Sequence, residues 1–269
     1  MSLRTDMAVE FRQNFLDIDG VSHEESEISD RINLTKIIIE TEGAAAKMKR
    51  QKGEYITVLV DEFAQSLQIS NTLREILEKI LPNNGLVLVV GLGNRYITPD
   101  ALGPITVGKI YATRHISETL KKTFELNDVR EVAAVAPGVL GQTGIETFEV
   151  VKALCDRVNP AAVLIIDALA AGHHSRIGKS LQITNTGIHP GSGVNGTRKE
   201  ISEKTLGIAT IALGVPCVID AYNLVHRLED EQDESFKNFI VAPTNIDEIN
   251  EKWAEIIAHG INMALKTTE

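Results

Sequence analysis

Four short runs of unbroken apolar residues constrain this chain more than anything else in it: LVLVVG (86–91), VAAVAP (132–137), AAVLIIDA (161–168) and IATIALGV (208–215). A strand with one wet face alternates apolar and polar side chains. Runs without alternation belong to strands covered on both faces, as in a parallel sheet between helices. Helical patterns separate them. Thr72 and Glu75 have capping-box spacing ahead of LREILEKIL, which predicts a helix from Thr72 that PNNG (82–85) ends. TGIE (143–146) repeats the box before TFEVVKALCDRV, and VIDAYNLVHRL (218–228) reads as another helix. A last helix opens at Asn245 with Glu248, and carries Ile246, Ile249, Trp253, Ile256 and Ala264 at helical spacing. Strand and helix in repeated order predict an α/β fold, a mostly parallel twisted sheet sandwiched by helices.

The N-terminal third reads differently. INLTKIIIET (32–41) and EYITVLVDE (54–62) are β-branched and predict a peripheral N-terminal β layer. DGVSHEESEISD (19–30) reads as a surface loop and KMKRQK (47–52) as a solvated loop or strand edge. The 269 residues are organised as one domain: 1–70 a peripheral N-terminal segment, 71–227 the α/β core, 228–269 a charged connection and the C-terminal helix.

Charge and cysteine usage narrow the function. The formal net charge of −10 repels phosphate backbones, so direct nucleic-acid binding is not expected. No apolar run has the length of a membrane span, and no signal segment opens the chain. Cys155 and Cys217 sit far apart in apolar surroundings, which fits buried thiols in a reducing, intracellular compartment.

The stretch GLVLVVGLGNRYITPDALGP (85–104) admits two chemistries. A dinucleotide fingerprint needs a third glycine where Tyr96 stands, and a helix opening straight from the turn where Pro99 and Pro104 bracket a loop. A carboxylate fits better. Asp100 falls a few residues past the carboxyl end of a central strand, where open α/β sheets bind ligands. Asp167 ends the most apolar run and needs a partner or a raised pKa there. The bland alternative is that each aspartate caps the turn that follows it. The loop APGVLGQTGIET (136–147) adds glycines, Gly138 among them, that bring backbone N–H groups near a ligand, with the Gln142 amide beside them. TNTGIHPGSGVNGTRKE (184–200) is a polar, four-glycine loop that reads as flexible or substrate-shaping. Within it His189 is either a ligand or proton-transfer group, or a side chain that fastens the loop. His173-His174 is too short a pair for a metal site, and Asp220 and His226 read as structural residues on a helix.

RTDMAVE (4–10), GLGNRYITPDALGP (91–104), APGVLGQTGIET (136–147), IIDALAA (165–171), TNTGIHPGSG (184–193) and TLGIATIALGVPCVIDA (205–221) together resemble the spore germination protease family. The likeness spans nearly the whole chain. It implies a fold similar to that of the hydrogenase maturation proteases. It also implies an atypical aspartic endopeptidase that degrades small acid-soluble spore proteins in the cytoplasm of the forespore and spore core. The family's two essential aspartates map onto Asp100 and Asp167, two carboxyls that share a proton and activate water. Asn94, Gly138, Gln142, Thr143, His189 and Gly191 fall in the same motifs as substrate-binding or supporting residues. No metal or cofactor is implied, and a homo-oligomer, a tetramer, is expected from the family. The chain departs from the family pattern with GLGNRY for GLGNWN, with GVNGTRKE for GVGNKRKE, and with a shorter segment before the last helix. Relatives carry a propeptide ahead of the RTD motif. Almost nothing precedes Arg4 here, so the expectation is a chain not held off by its own N-terminus. A competing expectation is a metal-binding maturation-type peptidase, or a metal- or peptide-binding module on the same fold, with His189 among the ligands.

Overall fold

The structure, a computed structural model, describes residues 5–10, 18–61, 65–123, 129–190, 198–225 and 239–266. Among these, nine strands form one sheet: β1 (Val21–Ser29), β2 (Ile32–Ile39), β3 (Gly53–Val60), β4 (Val87–Gly91), β5 (Val132–Val135), β6 (Ala162–Ala171), β7 (Ser180–Thr184), β8 (Ala209–Asp220) and β9 (Ile240–Val241). Their order is β1-β2-β3-β7-β8-β6-β4-β5, with β9 on the end of β8. The helices are α1 (Glu42–Met48), α2 (Ser66–Ile80), α3 (Leu102–Val107), α4 (Glu118–Thr123), α5 (Leu140–Thr143), α6 (Thr147–Val158), α7 (Glu203–Leu206), α8 (Ala221–Val225) and α9 (Ile246–Ala264).

The four unbroken apolar runs are strands β4, β5, β6 and β8, and they pair in parallel. Both faces of this block are covered. Val87, Val89, Leu164 and Ile166 pack under Leu73 and Leu77 of α2 and Trp253, Ile257 and Ile261 of α9. Leu88, Val90, Val163 and Ile165 face Phe148, Val151 and Cys155 of α6. Period-two alternation therefore assigns successive residues of one apolar run to two different helix layers.

The sheet is mixed rather than mostly parallel. Of eight strand pairings among the described residues, three are parallel and five, those of β1, β2, β3, β7 and β9, are antiparallel. The N-terminal strands do not form a separate layer; they extend the same sheet through the β3–β7 pairing. Nor is 19–30 a loop. Val21–Ser29 pairs along its length with β2, and its charged, exposed side chains mark a sheet edge, where they discourage pairing with other chains.

Three helix limits also differ from the sequence reading. Helix α2 starts at Ser66, and Thr72 lies inside it with its hydroxyl donating to the Gln68 carbonyl at 3.0 Å. Helix α6 starts at Thr147; Thr143 instead closes the short α5, where Gly144 at φ +69° ends the turn. Strand β8 runs to Asp220 because Ile219 and Asp220 pair with β9, so of the described residues of the predicted 218–228 helix only Ala221–Val225 is helical. Asp220 accepts the Tyr222 N–H at 2.8 Å from the strand end, and His226 lies outside the described residues. The last helix begins where expected, with Ile246, Trp253 and Ile256 buried.

Candidate active site

Asp167 sits midway along the central strand β6, between β4 and β8, one residue past the point where the β4 pairing ends, and not at the end of its strand as its apolar run suggested. It points to the same face as Val163 and Ile165 and is 7% exposed. Its Oδ1 accepts the N–H of the next residue, Ala168, at 3.0 Å, and no other described donor reaches the carboxyl group. Burial raises its pKa well above the usual carboxyl range, and the negative fields of Asp100 and Asp6 push the same way. The Ala168 N–H and the Arg198 charge oppose this only in part.

Asp100 reaches the same region through the loop after β4. Leu92 N–H donates to the Ile166 carbonyl at 2.8 Å, so the chain leaves β4 still tied to β6. It then doubles back into a one-turn 3₁₀ helix, Thr98–Asp100, with Pro99 at its start. Two glycines make the fold-back sterically possible. A Cβ at Gly103 would lie 2.3 Å from the Leu92 carbonyl oxygen and 2.6 Å from that of Ile166. Gly93 takes φ +107°, and a Cβ there would meet the Asp100 carbonyl oxygen at 2.1 Å. The glycines thus serve backbone contact, not a phosphate. Asp100 Oδ2 accepts the Asn94 N–H at 2.8 Å. Burial raises the Asp100 pKa, against the opposing pull of that N–H and of Arg198.

The two carboxyls line one cavity of about 400 Å³ together with Asp6, Thr147, Ala168, Pro190 and Arg198. Asp6 enters from the N-terminal segment, where its N–H donates to the Ala170 carbonyl and its Oδ2 accepts the Ala170 N–H, both at 2.9 Å. This segment therefore docks on the end of β6 through one backbone and one side-chain hydrogen bond of Asp6. Sequence reasoning placed neither Asp6 nor Arg198 at the site. Asp6 was visible only as part of RTDMAVE, and nothing in residue spacing brings position 6 beside position 167.

The supporting residues divide. Asn94 Oδ1 accepts from Gln142 Nε2 at 2.7 Å and from the Tyr96 N–H at 3.0 Å, so Asn94 joins the 136–147 loop to the Asp100 loop. Gly138 takes φ +76° beside Gln142 and Thr143, and its carbonyl accepts the Thr147 hydroxyl at 3.3 Å. Thr143 is exposed and bonds within its own loop, to Val139 and Ile145. His189 stands apart from the carboxylate cavity. Its Nε2 lies 3.0 Å from Gln51 Nε2 and 3.4 Å from Glu200 Oε2, on a larger cavity of about 720 Å³ beside Tyr55 and Thr186. Gly191 lies outside the described residues. Cys155 and Cys217 are both buried free thiols. His173 and His174 stack on each other with ring centroids 4.4 Å apart. Among the described residues no three His, Cys, Asp or Glu side chains group as metal ligands would, and no helix is long and apolar enough to cross a membrane.

Comparison with known proteins bears on this geometry. A family model described as germination protease matches residues 2–230. The germination protease of Clostridium perfringens is 37% identical, over 98% of this chain and 95% of that protein. That of Clostridium tetani is 36% identical over 99% and 96%. That of Bacillus cereus is 40% identical over 88% of this chain and 68% of that protein. Among solved structures, the NiFe hydrogenase maturation protease HycI from Thermococcus kodakarensis aligns with 70% of this chain and 99% of its own, at 18% identity and a TM-score of 0.40, too low to bear on the site. The family match across residues 2–230, with relatives aligned over almost their whole length, shows that this chain belongs to the germination protease family and is a peptidase.

Proposed function

We propose that this chain is an endopeptidase that hydrolyses small acid-soluble spore proteins during germination, with Asp100 and Asp167 together activating water. The observation that carries the reading is the pair itself. Two carboxyls from separate elements face one cavity, and the field of one helps hold the other in its protonated form. Membership of a peptidase family supports a protein substrate. Action inside the spore core, and assembly into a homo-oligomer, belong to the same proposal.

The environments of the two groups divide the labour. Asp167 is the more deeply buried and also feels the negative fields of Asp100 and Asp6, so it keeps its proton; Asp100 is half-buried and ionises first. Ionised Asp100 takes a proton from water as the water oxygen bonds to the peptide carbonyl carbon, while Asp167 gives its proton to the carbonyl oxygen. When the tetrahedral species collapses, the C–N bond breaks and the leaving nitrogen takes the proton from Asp100. Asp167 recovers its own from the hydroxyl, and the site returns to its starting state. Asn94, Gln142 and Gly138 hold the loops that shape the mouth of the cavity. A metal site that joins these acids to His189 is not favoured, because His189 is engaged with Gln51 and Glu200 on the other cavity.

The test is incubation of the purified chain with a small acid-soluble spore protein and mass spectrometry of the products. Discrete internal cleavage that Asp100→Asn abolishes is expected. Intact substrate after prolonged incubation with folded protein, or cleavage that survives Asp100→Asn, would contradict the proposal.

A further inference from the structure

One buried polar contact ties the turn that carries Asp100 to β8, the strand paired with the one that carries Asp167. Asn250 lies on α9 with no exposed surface, in a stretch whose other buried side chains include Ile246, Trp253, Ala254 and Ile257. Its Nδ2 donates to the Thr98 carbonyl at 2.7 Å. Thr98 is the first residue of the 3₁₀ turn that ends in Asp100. Asn250 Oδ1 lies 3.2 Å from Cys217 Sγ, whose thiol also faces the Val215 carbonyl at 3.3 Å. Cys217 is the extra residue of a bulge in β8: Leu169 pairs with Pro216 and Ala170 with Val218, leaving Cys217 between them. Two residues earlier on β6, Asp167 pairs with Gly214 of β8. Burial and the nearby Asp167 and Asp100 charges push the Cys217 thiol pKa up, so it stays a neutral donor.

The chain of contacts thus runs from β8, which is bonded to the Asp167 strand, through the Cys217 thiol and the Asn250 amide to the Asp100 turn. An amide in a helix interior among apolar neighbours lowers helix propensity and is costly to bury unless both its ends are paired. A leucine would fill the same space at less cost, yet it would leave the Thr98 carbonyl with the Ala101 N–H of its own turn, at 3.2 Å, and no tie to α9. A second asparagine of α9, Asn262, grips the far end of the same segment. Its Nδ2 donates to the Lys109 carbonyl and its Oδ1 accepts the Tyr111 N–H, both at 3.0 Å. Only the Asn250 end leads to a carboxylate.

We propose that Asn250 is a positioning residue, which fixes the placement of the Asp100 turn relative to the Asp167 strand by bridging the Thr98 carbonyl to the Cys217 bulge. The inference rests on the aspartate-pair reading above. Misplacing a reacting group by about 1 Å costs up to ~100-fold in rate, so the effect belongs in kcat and not in KM.

The test compares wild type, Asn250→Ala and Asp100→Asn with a small acid-soluble spore protein as substrate, well below each variant's melting temperature. Asn250→Ala is expected to lower kcat by ~10- to 100-fold with KM within about twofold. A kcat within about twofold of wild type, with only the melting temperature lowered, would overturn the proposal and leave Asn250 a structural residue. Asp100→Asn separates this from failure of the underlying reading: if that variant stays active, the aspartate pair is wrong, whatever Asn250 does. Should Asn250→Ala not fold, the pair Cys217→Ser and Cys217→Val decides. Serine keeps a donor toward Asn250 Oδ1 and valine does not, so a larger kcat loss for valine is expected; equal kcat for the two overturns the bridge.

Discussion

The parallel half of the sheet and its antiparallel half carry polar chemistry in opposite ways. In the parallel block β5-β4-β6-β8, the loop after β4 and the middle of β6 bring a half-buried Asp100 and a buried Asp167 to one cavity, each carboxyl with a single backbone N–H donor. In the antiparallel block β7-β3-β2-β1, several polar groups pair with one another. Around its cavity Gln51 meets His189 and Glu200, Tyr55 donates to the Gln51 carbonyl, and Thr186 donates to the Tyr55 hydroxyl. Parallel strands have both faces covered by helices, so a carboxyl group set among them is largely taken out of water and its pKa rises. A satisfied network holds its shape; an unsatisfied pair of acids can do chemistry.

The largest effect expected of this contrast is on cleavage. Asp100→Asn and Asp167→Asn should each lower kcat by ~1000-fold or more, with folded far-ultraviolet circular dichroism, since Asn keeps the shape and accepts the same backbone N–H. A loss of less than tenfold in either would erase the distinction between the halves.

Next comes the backbone contact that places Asp100. Gly103→Ala puts a methyl within 2.6 Å of two backbone carbonyl oxygens, and overpacking of this kind costs about 1–3 kcal/mol or more. Chemical denaturation should show the loss; an unchanged midpoint would mean that α3 can move off β4.

A stability effect of opposite sign follows at Asp167. Its folded pKa lies above its unfolded value, so the native state holds the proton more tightly. Stability therefore falls as pH rises from the ordinary carboxyl range towards the folded pKa, and the whole loss is present above that. Each pKa unit corresponds to about 1.4 kcal/mol. Asp167→Asn removes the penalty, so the variant should melt higher than wild type at neutral pH, with the gap closing as pH falls to about 4. A gap that widens at low pH would reverse the sign of the argument.

The smallest effect should come from the antiparallel side. His189→Ala breaks contacts at a half-exposed ring away from the aspartates, and kcat should stay within about threefold of wild type. A loss near that of the aspartate variants would make the His189 cavity part of the chemistry.

What was legible in the sequence follows the same division. The parallel strands announced themselves because covering both faces demands unbroken apolar runs, and the two aspartates stood out as a charge closing one such run and another in the loop that follows a second. Strand β1 was illegible because an edge strand exposed on both faces is composed like a loop. Its pairing is set by β2, not by its own side chains. Thr72 and Thr143 had capping-box spacing, yet their hydroxyls serve the Gln68 carbonyl and the 139–145 loop, since nearby backbone competes for the same bonds. Asp6 and Asn250 could not be read at all. Each acts through a partner more than 150 residues away, a distance that only the closed sheet spans.

The central claim is that Asp100 and Asp167 act as one unit, and the double variant Asp100→Asn with Asp167→Asn tests it most directly. With kcat measured for both single variants and the double on a small acid-soluble spore protein, cooperating groups are non-additive. The account predicts a double variant that cleaves within about threefold of the slower single one. If the two losses instead multiply, the carboxyls act independently and the pair is not the catalytic unit.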